Sequence, residues 1–151
     1  MKSARYRSRE FAMQALYQWL MSKNSPADIA RDIVQFRGFD KCDALYFRDL
    51  LDGAIKDVDV IERDLTPCLD RPLDRVSPIE RAVLLTAGCE LLRHPEVPYR
   101  VIINEAVELA KLFGGTDGHK YVNGVLDKLA ATLREPEVRQ ARDEKNARAA
   151  G

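Results

Sequence analysis

Between Val76 and Leu133, apolar residues recur three and four positions apart in three successive runs, the period of a helix that buries one face. In VSPIERAVLLTAGCELL the run is Ile79, Val83, Leu84, Ala87 and Leu91. Ser77 opens it as N-cap, with Pro78 at the first helical position and Glu80 three residues past the cap. Such a serine accepts from the third helical N–H while the glutamate reaches back to the cap's own N–H. His94-Pro95 and Val97-Pro98 stop this helix, because proline drives the residue before it out of the α region and has no N–H to donate. A second helix is predicted over Tyr99–Phe113, with Ile102, Ala106, Leu109 and Ala110 inward and Gly114-Gly115 as its end. A third starts near Asp117 and carries Val122, Val125, Leu126, Leu129 and Leu133 until Glu135-Pro136 breaks it. Three amphipathic helices on short connections make an antiparallel bundle.

The first half is also helical in pattern. Phe11, Ala12, Ala15, Leu16, Trp19 and Leu20 form a strong stripe. Stepping back from Ala12 at 100° per residue puts Arg5 and Arg9 on its azimuth and Arg7 roughly opposite; a charge cannot continue a core, so these arginines are expected at an open edge. Asn24-Ser25-Pro26 caps a short helix with Ile29, Ile33 and Val34, ended near Gly38. A long helix after Asp40 carries Ala44, Phe47, Leu51, Ala54, Val58, Ile61 and Leu65, a heptad-like seam that fits packing within one bundle, and Gly53 marks a close crossing. The expected fold class is therefore all-α, two small antiparallel helical bundles of about six to seven helices. Residues 1–66 form the N-terminal bundle with its basic arm, 67–76 a connecting segment rich in proline, and 77–135 the C-terminal bundle. Residues 136–151, highly charged with little to bury, are expected to be a flexible tail.

Charge narrows the function. The 151 residues hold 24 basic and 24 acidic side chains with a pI near 6.7, so any nucleic-acid surface must be local. Cys42, Cys68 and Cys89 have no C-x-x-C pairing and read as small buried residues of a reducing compartment. No apolar run approaches the roughly 20 residues of a membrane span, and a cytoplasmic protein without a membrane partner is expected. Two histidines, no glycine-rich phosphate loop, no nucleophile elbow and no metal spacing leave no enzyme reading and no cofactor.

Two stretches remain. The start, MKSARYRSR, sets Lys2, Arg5, Arg7 and Arg9 around Tyr6 with no acidic residue before Glu10. It reads either as a solvated terminus or as a phosphate-contact site, with Tyr6 or Tyr17 offering a face to an unpaired base. Four such cations on a single strand predict a loss of roughly fifty-fold in affinity between 50 and 200 mM salt. His119-Lys120-Tyr121, in the first turn of the last bundle helix, is a second candidate; from the residues alone a helix start with Tyr121 half buried has the stronger claim. Asn123-Gly124 reads as a close helix crossing, and Glu80 first as a capping residue.

RSREFAMQALYQW, LYFRDLL, VSPIERAVL, VPYRVIINEAVELAKLFGG and HKYVNGVLDKLA together resemble the NusB family of bacterial transcription antitermination factors, in order, over Ala4 to Leu133. The resemblance implies an all-helical, non-catalytic protein. It would bind boxA, a short single-stranded RNA of ribosomal RNA leader transcripts, as a heterodimer with the ribosomal protein NusE, within the RNA polymerase antitermination complex. By position it places Lys2, Arg5, Arg7, Arg9, His119, Lys120 and Tyr121 on the RNA, Tyr17 at the junction of RNA and protein, and Glu80 on NusE. Tyr6 interrupts a run that is often denser in arginine, and Tyr121 stands where phenylalanine is frequent. A homodimer of the free protein, a helical interaction module with an incidental arm, and a role mainly in ribosomal RNA maturation stay open.

Overall fold

The computed structural model describes residues 2–115 and 117–150, and within them the backbone forms eight α-helices and no strand. They are α1 (Ala4–Ser22), α2 (Pro26–Ile33), α3 (Ala44–Lys56), α4 (Val58–Leu65), α5 (Pro78–Arg93), α6 (Tyr99–Phe113), α7 (Gly118–Leu133) and α8 (Glu135–Ala150). The all-helical class expected from periodicity is the one found. Caps explain the starts: Ser25 Oγ accepts from Asp28 N–H at 3.1 Å, Asp43 Oδ1 from Tyr46 N–H at 3.1 Å, and Ser77 Oγ from Glu80 N–H at 3.2 Å. The Ser77 hydroxyl in turn donates to the Glu80 carboxylate at 2.7 Å. Glu80 thus closes its capping box on the serine side chain rather than on the serine N–H.

Helix α5 is the axis of the molecule. Its residues from Ala82 to Leu91 are all buried, and it packs against α1, α3, α4, α6 and α7. Arg9 of α1 meets Glu90 of α5, while Met13 and Tyr17 lie beside Ile79; the two helices therefore run antiparallel. Apolar side chains from α1 to α7 form a single continuous core.

One expectation is corrected. The predicted long helix is broken at Asp57, whose backbone (φ −102°, ψ 16°) leaves the α region between α3 and α4. Its carboxylate accepts from Arg93 Nη1 at 2.6 Å, so the chain bends around the last turn of α5 and brings Ile61 onto Gly88. Glu135–Ala150, expected as a flexible tail, is helical, with none of its residues buried and only Val138 and Ala141 leaning on the core. Its base is fixed by charge. Arg134, 7% exposed, donates to the carbonyls of Leu91 (2.8 Å), His94 (2.8 Å) and Val97 (3.0 Å), and pairs with Glu137 at 2.7 Å. Glu137 then accepts from Tyr99 N–H at 2.9 Å. A cation thus closes the carbonyl end of α5 while a carboxylate caps the amide end of α6, each matched to the helix dipole. Among the described residues no helix is long and apolar enough to cross a membrane.

Candidate nucleic-acid interface

The basic run belongs to a helix from the outset. Ser3 Oγ accepts from Tyr6 N–H at 3.0 Å and starts α1 at Ala4. Ser8, fully buried, donates to the Asp43 carbonyl at 2.7 Å and accepts from Asp43 N–H at 2.9 Å, which pins this first stretch to the start of α3. Lys2 and Arg5 are exposed and Arg7 is half-buried. Arg5 and Arg7 form no ion pair within the described residues. The Lys2 ammonium sits 4.3 Å from the Tyr6 ring centroid, and the Arg5 guanidinium 4.3 Å from that of Tyr46. Tyr6 itself is buried, and burial, then the charges of Glu10, Glu105 and Glu108, push its phenol up; it offers no face to a base. A groove of about 340 Å³ beside Lys2 is lined by Asn104, Glu105 and Glu108 of α6. Phosphate is repelled on that side, which leaves the side of Arg5 for an anion.

Arg9, expected at an open edge, is inside. Its guanidinium donates through Nε to Glu90 Oε1 at 2.8 Å and through Nη2 to Oε2 at 2.6 Å, and Tyr46 donates to the same Oε2 at 2.6 Å. The side chains of Arg9 and Glu90 are 6% and 1% exposed. Burial alone would lower the Arg9 pKa, but the hydrogen bonds and charge of Glu90 outweigh it and the net shift is upward. A charge continues this core because an opposite charge on α5 faces it. Arg9 is out of reach of a phosphate.

The second patch lies elsewhere. An added Cβ on Gly118 would stand 2.7 Å from Glu80 Oε1, so the first turn of α7, with His119, Lys120 and Tyr121, abuts the start of α5. His119 is half-buried; Lys120 is exposed and 3.4 Å from the Asp117 carboxylate. The Tyr121 ring is covered by the Arg71 guanidinium at 4.3 Å, itself paired to Asp70 at 2.6 Å. The Tyr121 hydroxyl is buried without a hydrogen-bond partner of good geometry, although burial, and then the nearby Asp70 carboxylate, push its pKa up. Tyr17 lines an apolar groove of about 320 Å³ with Met13, Gln14, Gln18, Ile79 and Phe113. Tyr17, Glu80 and His119 to Tyr121 therefore gather at the amino end of α5, whereas Lys2, Arg5 and Arg7 lie beyond Glu90 at its other end. Ten residues of α5 separate Glu80 from Glu90, about 15 Å.

Gly124, read as a close crossing, has nothing within 4 Å of an added Cβ. His94, which ends α5, packs its ring 4.7 Å from Tyr46 and meets the carboxylates of Asp49 and Glu96. Cys89 lies against Gly53 and the Leu50 carbonyl, and burial pushes its thiol up to about 12, far from an activated nucleophile. Sequence reasoning missed Glu90, Tyr46 and Arg71. Glu90 had a signal: seven residues after Val83, it lies on the same helical azimuth, a carboxylate inside one apolar stripe answering the arginine inside another.

Fold and surface together define an all-helical protein that presents cations and aromatic rings along helices rather than enclosing a substrate in a cleft. The NusB family profile matches residues 6–131. Over 141 residues the chain is 57% identical to the transcription antitermination protein NusB of Paraburkholderia phymatum, spanning 93% of this chain and 97% of that one. Among solved structures it is similar to T. maritima NusB, at 30% identity and a TM-score of 0.76 over 86% of this chain and 92% of that one. It shares its fold with the antitermination factor NusB crystallised with NusE and double-stranded RNA, at 24% identity and a TM-score of 0.74 over 84% of this chain and 97% of that one. The chain belongs to the NusB family: it is a transcription antitermination protein and not an enzyme.

Proposed function

We propose that the chain is a cytoplasmic RNA-binding adaptor that holds boxA-type single-stranded RNA of ribosomal RNA leader transcripts together with NusE, and so promotes read-through by RNA polymerase. The observation that carries this reading is the placement of exposed Arg5 and half-buried Arg7 on the first turns of a helix pinned in place, neither of them ion-paired among the described residues. Their charge is not cancelled and their backbone is already ordered, so phosphate binding carries little of the ordering cost of a loose terminus. The apolar groove at Tyr17 and the adjoining Glu80 suit NusE, with His119 to Tyr121 beside them for the strand that leaves the protein partner. A protein of the same fold, crystallised with NusE and double-stranded RNA, supports the pairing with NusE.

Fluorescence anisotropy of a labelled boxA RNA, with and without NusE and against a scrambled strand and a duplex, tests it. Arg5 and Arg7 together predict a loss of roughly sevenfold between 50 and 200 mM salt, with NusE tightening binding at least tenfold. Equal binding of the scrambled strand, or no effect of NusE, sinks the reading. The apolar groove also fits a second copy of this chain, a homodimer that sedimentation of the free protein would reveal.

A further inference from the structure

We propose that Tyr46 is a positioning residue: held from beneath by Glu90 and Arg9, it orders Arg5 for contact with a phosphate. The inference rests on the RNA-binding reading of α1 and names how that site is built.

Arg5 is an exposed, long side chain, and left to itself it would lose much rotamer freedom on gripping an anion. It lies over the Tyr46 ring at 4.3 Å. That ring cannot drift. Its hydroxyl donates to Glu90 Oε2 at 2.6 Å, Glu90 is gripped at both oxygens by Arg9, and the His94 ring packs 4.7 Å away at an interplanar angle of 50°. Burial, reinforced by the bond to Glu90, pushes the Tyr46 phenol up, so it stays a donor. The chain of contacts runs from a buried ion pair to the base of an exposed cation.

The nature of the last contact matters. A ring face attracts a guanidinium without occupying its N–H groups and without cancelling its charge. Among the described residues Arg5 has no carboxylate within ion-pair distance; Glu96 feels its charge but does not pair with it. Arg71 is the contrast inside the same molecule. It lies 4.3 Å from the Tyr121 ring centroid, the same distance, yet its charge is matched by Asp70 at 2.6 Å. One arginine on a tyrosine is neutralised; the other is held out and available.

The test is a double-mutant cycle read in RNA affinity, with the full-length chain, a short labelled single-stranded RNA and thermal melts of every variant. Arg5→Ala is expected to weaken binding about fivefold and to reduce the salt slope by about 0.7, the value of one phosphate contact on a single strand. Tyr46→Leu, which keeps the charge but removes the platform, is expected to weaken binding about threefold with the slope unchanged, and to add nothing to Arg5→Ala. If Tyr46→Leu does not fold, Tyr46→Phe retains the ring and loses only the hydroxyl. A loss of about twofold that vanishes in the Arg5→Ala background is then expected. Additive effects, with Tyr46 variants as damaging when Arg5 is absent, overturn the positioning role and leave RNA binding intact. A wild-type chain that binds no RNA overturns the RNA reading itself, and this inference with it.

Discussion

Arg9 and Glu90 each interrupt an apolar stripe, on helices that run antiparallel and so bring the two charges face to face. Taking both ions out of water costs several kcal/mol each. The three hydrogen bonds from Arg9 to Glu90, the Tyr46 hydroxyl, and Glu105 at 3.6 Å from Arg9 Nη1 offset that cost. Glu90→Ala strands a buried guanidinium, and a destabilisation of about 3–5 kcal/mol is expected in urea titrations. The joint change Arg9→Met with Glu90→Leu should recover most of it, because no lone charge remains. A loss below about 1 kcal/mol for Glu90→Ala would show that water reaches Arg9 and relieves it. Glu105 gives the opposite sign of pH dependence from an ordinary paired carboxylate. Burial raises its pKa above 4.5, with Arg9 opposing and Glu90 reinforcing. Between 4.5 and the raised value the folded chain holds more protons than the unfolded one, so this group's contribution to stability grows as pH falls through that window. Urea midpoints at pH 7 and pH 5 should therefore show Glu105→Gln losing relatively more stability on acidification than the wild type.

At the level of helices, three glycines separate contact from freedom. A Cβ on Gly88 would stand 2.7 Å from Ile61 Cγ2, where α5 crosses α4, and one on Gly53 would stand 2.8 Å from Arg93 Cδ, while Gly124 faces open space. Gly88→Ala is expected to destabilise by about 1–3 kcal/mol through overpacking. Gly124→Ala should stabilise by up to about 1 kcal/mol through helix propensity. Thermal melts of the two variants should move in opposite directions; a shared direction would contradict the crossing geometry. The glycines also show what sequence could tell. Gly53 and Gly124 look alike as mid-helix glycines, and only the partner helix distinguishes them. Helix starts at Ser25 and Ser77 were legible because a cap and its target lie three residues apart. The break at Asp57 and the anchoring at the base of α8 were not, since their partners, Arg93 and the α5–α6 turn, lie 36 and about 40 residues away. The same holds at the candidate interface: the cations at the start of the chain could be read as a run, but which arginine was buried depended on Glu90, 81 residues distant.

Over the whole molecule, charge sums to zero while its display does not, and α5 sets the two displays apart. Lys2, Arg5 and Arg7 stand at one end, and Tyr17, Glu80 and His119 to Tyr121 at the other. An RNA that uses both must pass along α5 rather than wrap one corner, so shortening a bound strand should remove one set of contacts before the other. The α5–α6 turn beside the arm is closed by Arg134. Arg134→Ala leaves the carbonyls of Leu91, His94 and Val97 without their donor and Glu137 without its partner. A loss of about 1–3 kcal/mol for each carbonyl that water cannot reach is expected, read as faster amide exchange at the start of α6. Unchanged exchange there would show that the turn stands on its prolines alone. On the ribosome, where roughly 5–20 residues are added each second, the guanidinium emerges about 2–8 s after the carbonyl of His94, 40 residues earlier, that it must reach. Until then the joint between α5 and α6 is a nascent polypeptide's open seam, sealed by a residue made well after both helices.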